Sequence, residues 1–266
     1  MIGYITEFDG VSIGGTFGEN QISINRAVTP SMARILGDGM YDLDGMQSPL
    51  IQTEYSATFL DRDGNVNARA LFQRLGRSGW LKAKTRTGTD LMAWAKLTAI
   101  DSQQTPLHWQ LQNRDPYTMR FSCRPYWYAL TDTTTVLSST SSASITNAGN
   151  ARSSWVTLYI TSAIASSLVI RIGRNSESTY AVPKYGNNVY NSTGTQTITY
   201  SASKESGSTL MIDFRTNAVT LNGVDAYANI TLPDTQTTLG YLYPGVNRFL
   251  FSENVNCTIV HRGAYV

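Results

Sequence analysis

Apolar and polar residues alternate along this chain over short runs, and seldom recur every three or four positions, which is the pattern of half-buried strands. In the C-terminal half, residues 155–161, 168–172, 195–200, 210–214, 219–221, 228–232, 248–251 and 257–261 carry it at the spacing of a β-sandwich. No helix of ordinary length is predicted there. In the N-terminal half, residues 2–5, 11–13, 21–27 and 50–60 read as strands separated by Gly-rich turns. Residues 80–84 are predicted to pair with 91–100 around Thr87-Gly88, and 107–112 with 117–123 around Arg114-Asp115-Pro116.

One stretch changes period. Val66, Ala70, Leu71 and Leu75, with Phe72, recur at helical spacing, with Asn65 or Asn67 as N-cap and Gly76 or Gly79 near the end. A second break lies between Thr131 and Asn147, where small hydroxyl residues replace large apolar ones. It divides the chain into an expected first domain at 1–132, a linker or domain edge at 133–146 and a β-sandwich at 147–266.

Composition supports a globular, mainly β protein: 41% of residues are hydrophobic, and 15 tyrosines favour strands. Only 15% are charged, so much of the surface is polar without charge, which suits assembly. The formal charge of +2 is too small to call for nucleic acid as a binding partner. Cys123 and Cys257 stand far apart in separate segments, so neither a zinc knuckle nor a redox pair is written here, and two buried thiols are expected. No apolar run reaches the roughly 20 residues of a membrane span, and the first residues lack a signal-peptide pattern. The three Asn-x-Thr sequons at Asn191, Asn229 and Asn256 are therefore read as chance.

Catalytic patterns are weak. His108 and His261 sit in alternating strands, away from any metalloprotease motif or nucleophile elbow. Asp38, Asp42, Asp44, Glu54, Asp61 and Asp63 form the densest acidic group, but in turns that place no pair across a sugar-sized cleft. Asp61-Arg62-Asp63-Gly64-Asn65 resembles the start of a calcium loop yet lacks the later acidic ligands, and a turn feeding the helix explains the same residues. No cofactor is called for.

Two groups suit recognition instead. Arg69, Arg74 and Arg77 fall on the wetter side of the expected helix and are candidates for a contact with acidic residues of a neighbouring subunit. Tyr180, Tyr185 and Tyr190 lie beside Gly and Asn in a loop-rich stretch. Such rings could pack on sugar C–H groups while amides meet the hydroxyls, making them candidate glycan contacts.

The most specific feature is an ordered set of turns: Asn147-x-Gly149, a strand ending at Asp213, the Asn222-Gly223 hairpin and Pro244-Gly245-x-Asn247. In this order they resemble the C-terminal domain of distal tail proteins of long-tailed, siphovirus-type phages. The resemblance implies a tail-tube-like β barrel or sandwich with one helix, followed by a galectin-like or carbohydrate-module-like β-sandwich. It further implies a structural virion protein at the distal end of the tail, assembled in the host cytoplasm. Six copies would form a ring between the tail-tube protein and the tail-associated or tail-tip protein. DNA would pass through it, and the tape measure protein, a receptor-binding protein or a host-surface glycan are further partners. A major tail-tube protein and a carbohydrate-binding adhesin remain the alternatives, with a hydrolase the least supported.

Overall fold

The computed structural model describes residues 2–13, 21–28, 51–60, 70–102, 116–124, 126–174 and 196–265. They fall into two units that divide between Leu130 and Thr131, and both are built of antiparallel strands.

In the first unit the strands are β1 (Ile2–Phe8), β2 (Val11–Ser12), β3 (Gln21–Val28), β4 (Ile51–Leu60), β5 (Ser78–Thr85), β6 (Asp90–Ser102), β7 (Pro116–Cys123) and β8 (Trp127–Ala129). Their order across the sheet is β2-β1-β5-β6-β7-β4-β3, and β8 also pairs with β6. The expected hairpin around Thr87-Gly88 forms between β5 and β6. Gly88 takes a left-handed φ of 89°, and the Thr85 hydroxyl accepts from the Thr89 amide at 2.9 Å. Alternation sends Leu81, Ala83, Leu91, Ala93, Ala95 and Leu97 to one buried face. Phe8 and Phe121 pack on it at 5.2 Å, and the buried Trp127 indole donates to the Tyr55 hydroxyl at 3.0 Å.

The helix expected before β5 is described only at residues 70–72. Leu71 is buried, but Phe72 and Leu75 are 44% and 47% exposed, so they do not join the predicted apolar stripe. The reason is local. Arg74 and Leu75 donate to Leu71 and Phe72, three residues back, and Gly76 ends the turn at φ 79°, which rotates Leu75 off the buried face.

The second unit comprises β9 (Thr133–Asn147), β10 (Val156–Ile160), β11 (Leu168–Arg174), β12 (Gln196–Tyr200), β13 (Leu210–Asp213), β14 (Ala218–Leu221), β15 (Val224–Asp225), β16 (Ile230–Thr231) and β17 (Gly245–His261). Two expectations are corrected. Residues 133–146, read as a linker or domain edge, form strand and so are no linker: Thr is β-branched and strand-compatible, and β9 shows little large apolar residue because it pairs only with β17 and buries few side chains. The segments 248–251 and 257–261 are parts of one long strand, β17.

That strand organises the unit. Its first part pairs with β11 and its last part with β10, while β9 runs along its other edge. The register with β9 slips between Leu250 and Cys257, where Asn256 Oδ1 accepts the amide of Ser139, a residue held at φ 47°. On one side of this bulge lie β10, β13, β14 and β15, and on the other β11, β12 and β16. Leu158, Ile212 and Val219 from one wing and Ile170 and Ile198 from the other share one core with Phe249 of β17, all fully buried. At about 25 cal/mol per Å² of apolar surface, that burial is the main driving force for the unit.

Candidate functional site

The motif residues of the second unit act through their side-chain amides and their backbone conformations. Asn147 is buried and ties several segments together: its Oδ1 accepts the amides of Gly149 at 3.0 Å and Ala264 at 3.3 Å. Its Nδ2 donates to the carbonyls of Ala151 at 2.8 Å and Leu242 at 3.4 Å. Gly149 has no alternative, since an added Cβ would lie 1.8 Å from the Ala264 carbonyl oxygen. Asp213 closes a turn by accepting from the Arg215 amide at 3.0 Å and the Thr216 hydroxyl at 2.7 Å. Asn222 and Gly223, at φ 50° and 82°, make the two-residue hairpin between β14 and β15. Asn222 Oδ1 also accepts the Thr209 amide at 2.8 Å.

A second set of amides fixes residues 238–247, which are largely irregular before β17. Asn247, fully buried, holds both backbone groups of Tyr243 at 2.8 Å and also donates to the Gly245 carbonyl at 3.0 Å, behind Pro244. Gly245 itself sits at φ 86°. Gln196 does the same for Tyr241, accepting its amide at 2.7 Å and donating to its carbonyl at 2.9 Å. Gln236 donates to the carbonyls of Thr238 and Leu239, and Asn217 Oδ1 accepts the Leu239 amide. Buried backbone groups left unmatched would each cost about 1–3 kcal/mol, so this clamping is what allows an irregular segment to be buried.

The clamped segment presents two rings. Tyr241 and Tyr243 meet edge to face at 5.0 Å, with their hydroxyls 3.2 Å apart. The Arg152 guanidinium lies 4.9 Å from the Tyr241 ring and 5.5 Å from Tyr243, and Arg174 lies 4.6 Å from Tyr243. Three residues after Arg152, the Trp155 ring carries Arg215 at 4.3 Å and Arg262 at 4.2 Å, with Arg262 ion-paired to Asp132. Sequence reading did not single out Arg152, Arg174, Gln196, Tyr241 or Tyr243. Their partners are 45 to 91 residues distant, from Gln196–Tyr241 to Arg152–Tyr243, and only the strand order brings them together.

Among the candidate contact residues, Arg74 is engaged within its own chain. Its Nε lies 3.2 Å from an Asp9 carboxylate oxygen and 3.1 Å from the Asp9 carbonyl, and its Nη1 donates to Ala70 at 2.9 Å. Arg77 is exposed. Arg69, the tyrosines Tyr180, Tyr185 and Tyr190, His108 and the residues read as a calcium-loop start lie outside the described residues, as do Asp38, Asp42 and Asp44. His261 is buried between β9 and β10; burial pushes its pKa down, and Asp132 partly opposes this. Both cysteines are buried and unbonded. Burial raises the Cys257 thiol to about 12, against a smaller opposing effect of a backbone hydrogen bond with Tyr159, and raises Cys123 further. Thiols so shifted carry little thiolate and are poor nucleophiles. Among the described residues no cluster of His, Cys, Asp and Glu could hold a metal ion.

Residues 176–265 match a family model described as siphovirus-type tail component, C-terminal domain. The fold is similar to that of SPP1 Dit (gp 19.1), whose crystal structure is described as a paradigm of the hub adsorption apparatus in Gram-positive infecting phages. The identity is 12% and the TM-score 0.57, over 99% of each chain. More distant likenesses are to the phage P2 baseplate in its activated conformation with Ca (8% identity, TM-score 0.41, 97% of this chain and 89% of that one) and to the phage p2 baseplate with Sr (9%, 0.41, 92% and 90%). No curated protein sequence matches the chain. The resemblance drawn from the ordered turns, and the mainly β fold with it, is borne out.

Proposed function

We propose that this protein is a structural component of a phage virion, the distal tail protein of a long-tailed phage, and that it carries out no catalytic step. The observation that carries the reading is the match of residues 176–265 to a tail-component domain within a chain whose fold follows SPP1 Dit from end to end. In this reading six copies close into a ring through their first units, joining the tail-tube protein on one side to the tail-tip protein on the other. The second units are galectin-like sandwiches displayed outward.

A closed ring repeats one heterologous contact, so each subunit needs two different complementary patches. The first unit supports this: among described strands its sheet path ends in two unlike strands, the two-residue β2 and the eight-residue β3. Its paired charges fit a lumen through which DNA passes without tight phosphate binding, because ion-paired Lys and Arg hold phosphate less strongly than unpaired ones.

Gold-labelled antibody against the protein, applied to virions of the phage that encodes it, tests the placement. Label confined to the distal end of the tail is expected. Label along the whole tail would transfer the assignment to the major tail-tube protein, and absence from virions would overturn it.

A further inference from the structure

The outer edge of β9 is open. In the antiparallel pairing of β10 with β17, the Thr161 amide donates to the Asn256 carbonyl at 2.9 Å and the Arg262 amide to the Trp155 carbonyl at 3.1 Å. These bonds commit the peptide groups of Asn256, Thr258, Val260 and Arg262 to β10, because backbone groups alternate sides along a strand. Cys257, Ile259 and His261 therefore bond to β9, through their partners Leu137, Thr135 and Thr133. By the same alternation the peptide groups of Thr134, Val136 and Ser138 point away from β17, and Ser139 turns its amide back to Asn256 Oδ1 at 2.8 Å. Among the described residues nothing pairs with that edge: β9 pairs only with β17, and Thr134, Val136 and Ser138 are all exposed.

Open edges are ordinarily blunted by Lys, by Pro or by a charge turned inward. From Thr133 to Asn147 this strand has no charged residue and no proline, and only the bulge at Ser139 interrupts it. Val136, at the centre of the open stretch, is 69% exposed. It lies in a cross-strand row with Thr258, Tyr159 and Met211 on the outer face of the sheet, where Tyr159 is itself 36% exposed.

We propose that this edge is a pairing surface for a second copy of the chain, β9 of one copy lying antiparallel to β9 of the other about a two-fold axis at Val136. That register sets Val136 against Val136 and Thr134 against Ser138 of the second copy, each pair exchanging both backbone hydrogen bonds. β-Branched and hydroxyl side chains make favourable cross-strand pairs, and no like charges meet. The nearest charge, Asp132, lies outside the paired stretch and is bound to Arg262. A foreign strand is told from its competitors largely by charge, and this edge carries none with which to do so. A second copy needs only the symmetry, since the same patch meets itself across a two-fold axis. The row of Met211, Tyr159 and Val136 then runs on into its symmetry mate, which covers Val136. A two-fold contact doubles whatever assembly the first units form, so the inference rests on the second unit alone and does not depend on the ring.

Sedimentation velocity of the full-length protein at high concentration tests it. Val136→Lys and Val136→Glu each set like charges against one another across the two-fold axis, and each should bring the mass of the largest species down to about half that of the parent. Mixing the two variants in equal amounts sets Lys against Glu and should restore the parent's mass, which also shows that both variants fold. Hydrogen exchange on the parent gives an independent reading that needs no variant. The amides of Thr134, Val136 and Ser138 should be protected at high concentration and should lose that protection on dilution. The proposal is overturned if the parent and both variants share one mass, if the mixture sediments as its components do, or if those amides exchange as freely as an open edge at every concentration.

Discussion

The two units solve the same problem, an antiparallel β fold with many connections, by different chemistry. Of the five described ion pairs, four belong to the first unit: Arg74–Asp9, Lys82–Glu7, Lys84–Asp90 and Arg120–Asp101. The described polar side chains that are buried, Asn147, Ser153, Ser154, Gln196, Lys204, Asn247 and His261, all belong to the second. Surface pairs contribute little each, whereas a buried amide that satisfies several backbone groups is costly to lose. The first unit should therefore tolerate changes in its polar residues, and the second should not.

The strongest break in that contrast is expected at Gly149. Gly149→Ala places a methyl group 1.8 Å from the Ala264 carbonyl oxygen, so backbone must move, and a loss of about 4 kcal/mol or more is expected in chemical denaturation of the full chain. Asn247→Ala comes next. It strands both backbone groups of Tyr243 and the Gly245 carbonyl in a buried site and should cost about 3 kcal/mol. In the first unit, Arg74→Ala should cost less than about 1 kcal/mol by the same measurement, because its ion pair with Asp9 is partly exposed.

A pH series sharpens the comparison. The folded-state pKa of His261 lies below its ordinary value of 6.5, chiefly through burial, so the unfolded chain takes up the proton more readily. Its contribution to stability is then complete above about pH 6.5 and is lost as pH falls from there through the lower folded value. His261→Gln should flatten that dependence. A stability profile between pH 7 and 5 identical in the parent and the variant would remove His261 from the account.

Much of the second unit was legible in sequence where structure is local. The strands 168–172, 195–200 and 210–214 alternate cleanly and match β11, β12 and β13 to within two residues. Asn222-Gly223 announces its hairpin because few other pairs accept positive φ at both positions. Non-local structure was not legible. β9 reads as a linker because an edge strand with few buried side chains needs few large apolar residues. β17 reads as two strands because Ser252, Glu253, Asn254 and Asn256, around the buried Val255, occupy its bulge. The clamps of Gln196 and Asn247 on two tyrosines, and the arginines above them, leave no periodic trace. The motif Pro244-Gly245-x-Asn247 marked Asn247 as part of a turn, but not that its amide holds the segment bearing Tyr243.

The central claim, that this chain is a ring-forming hub at the end of a tail, is tested most directly by negative-stain electron microscopy of the purified full-length protein at high concentration. The account predicts closed six-fold rings with an open lumen and peripheral lobes. Long open-ended tubes would contradict it in favour of a tail-tube protein, and separate small particles at every concentration would contradict self-assembly through the first unit.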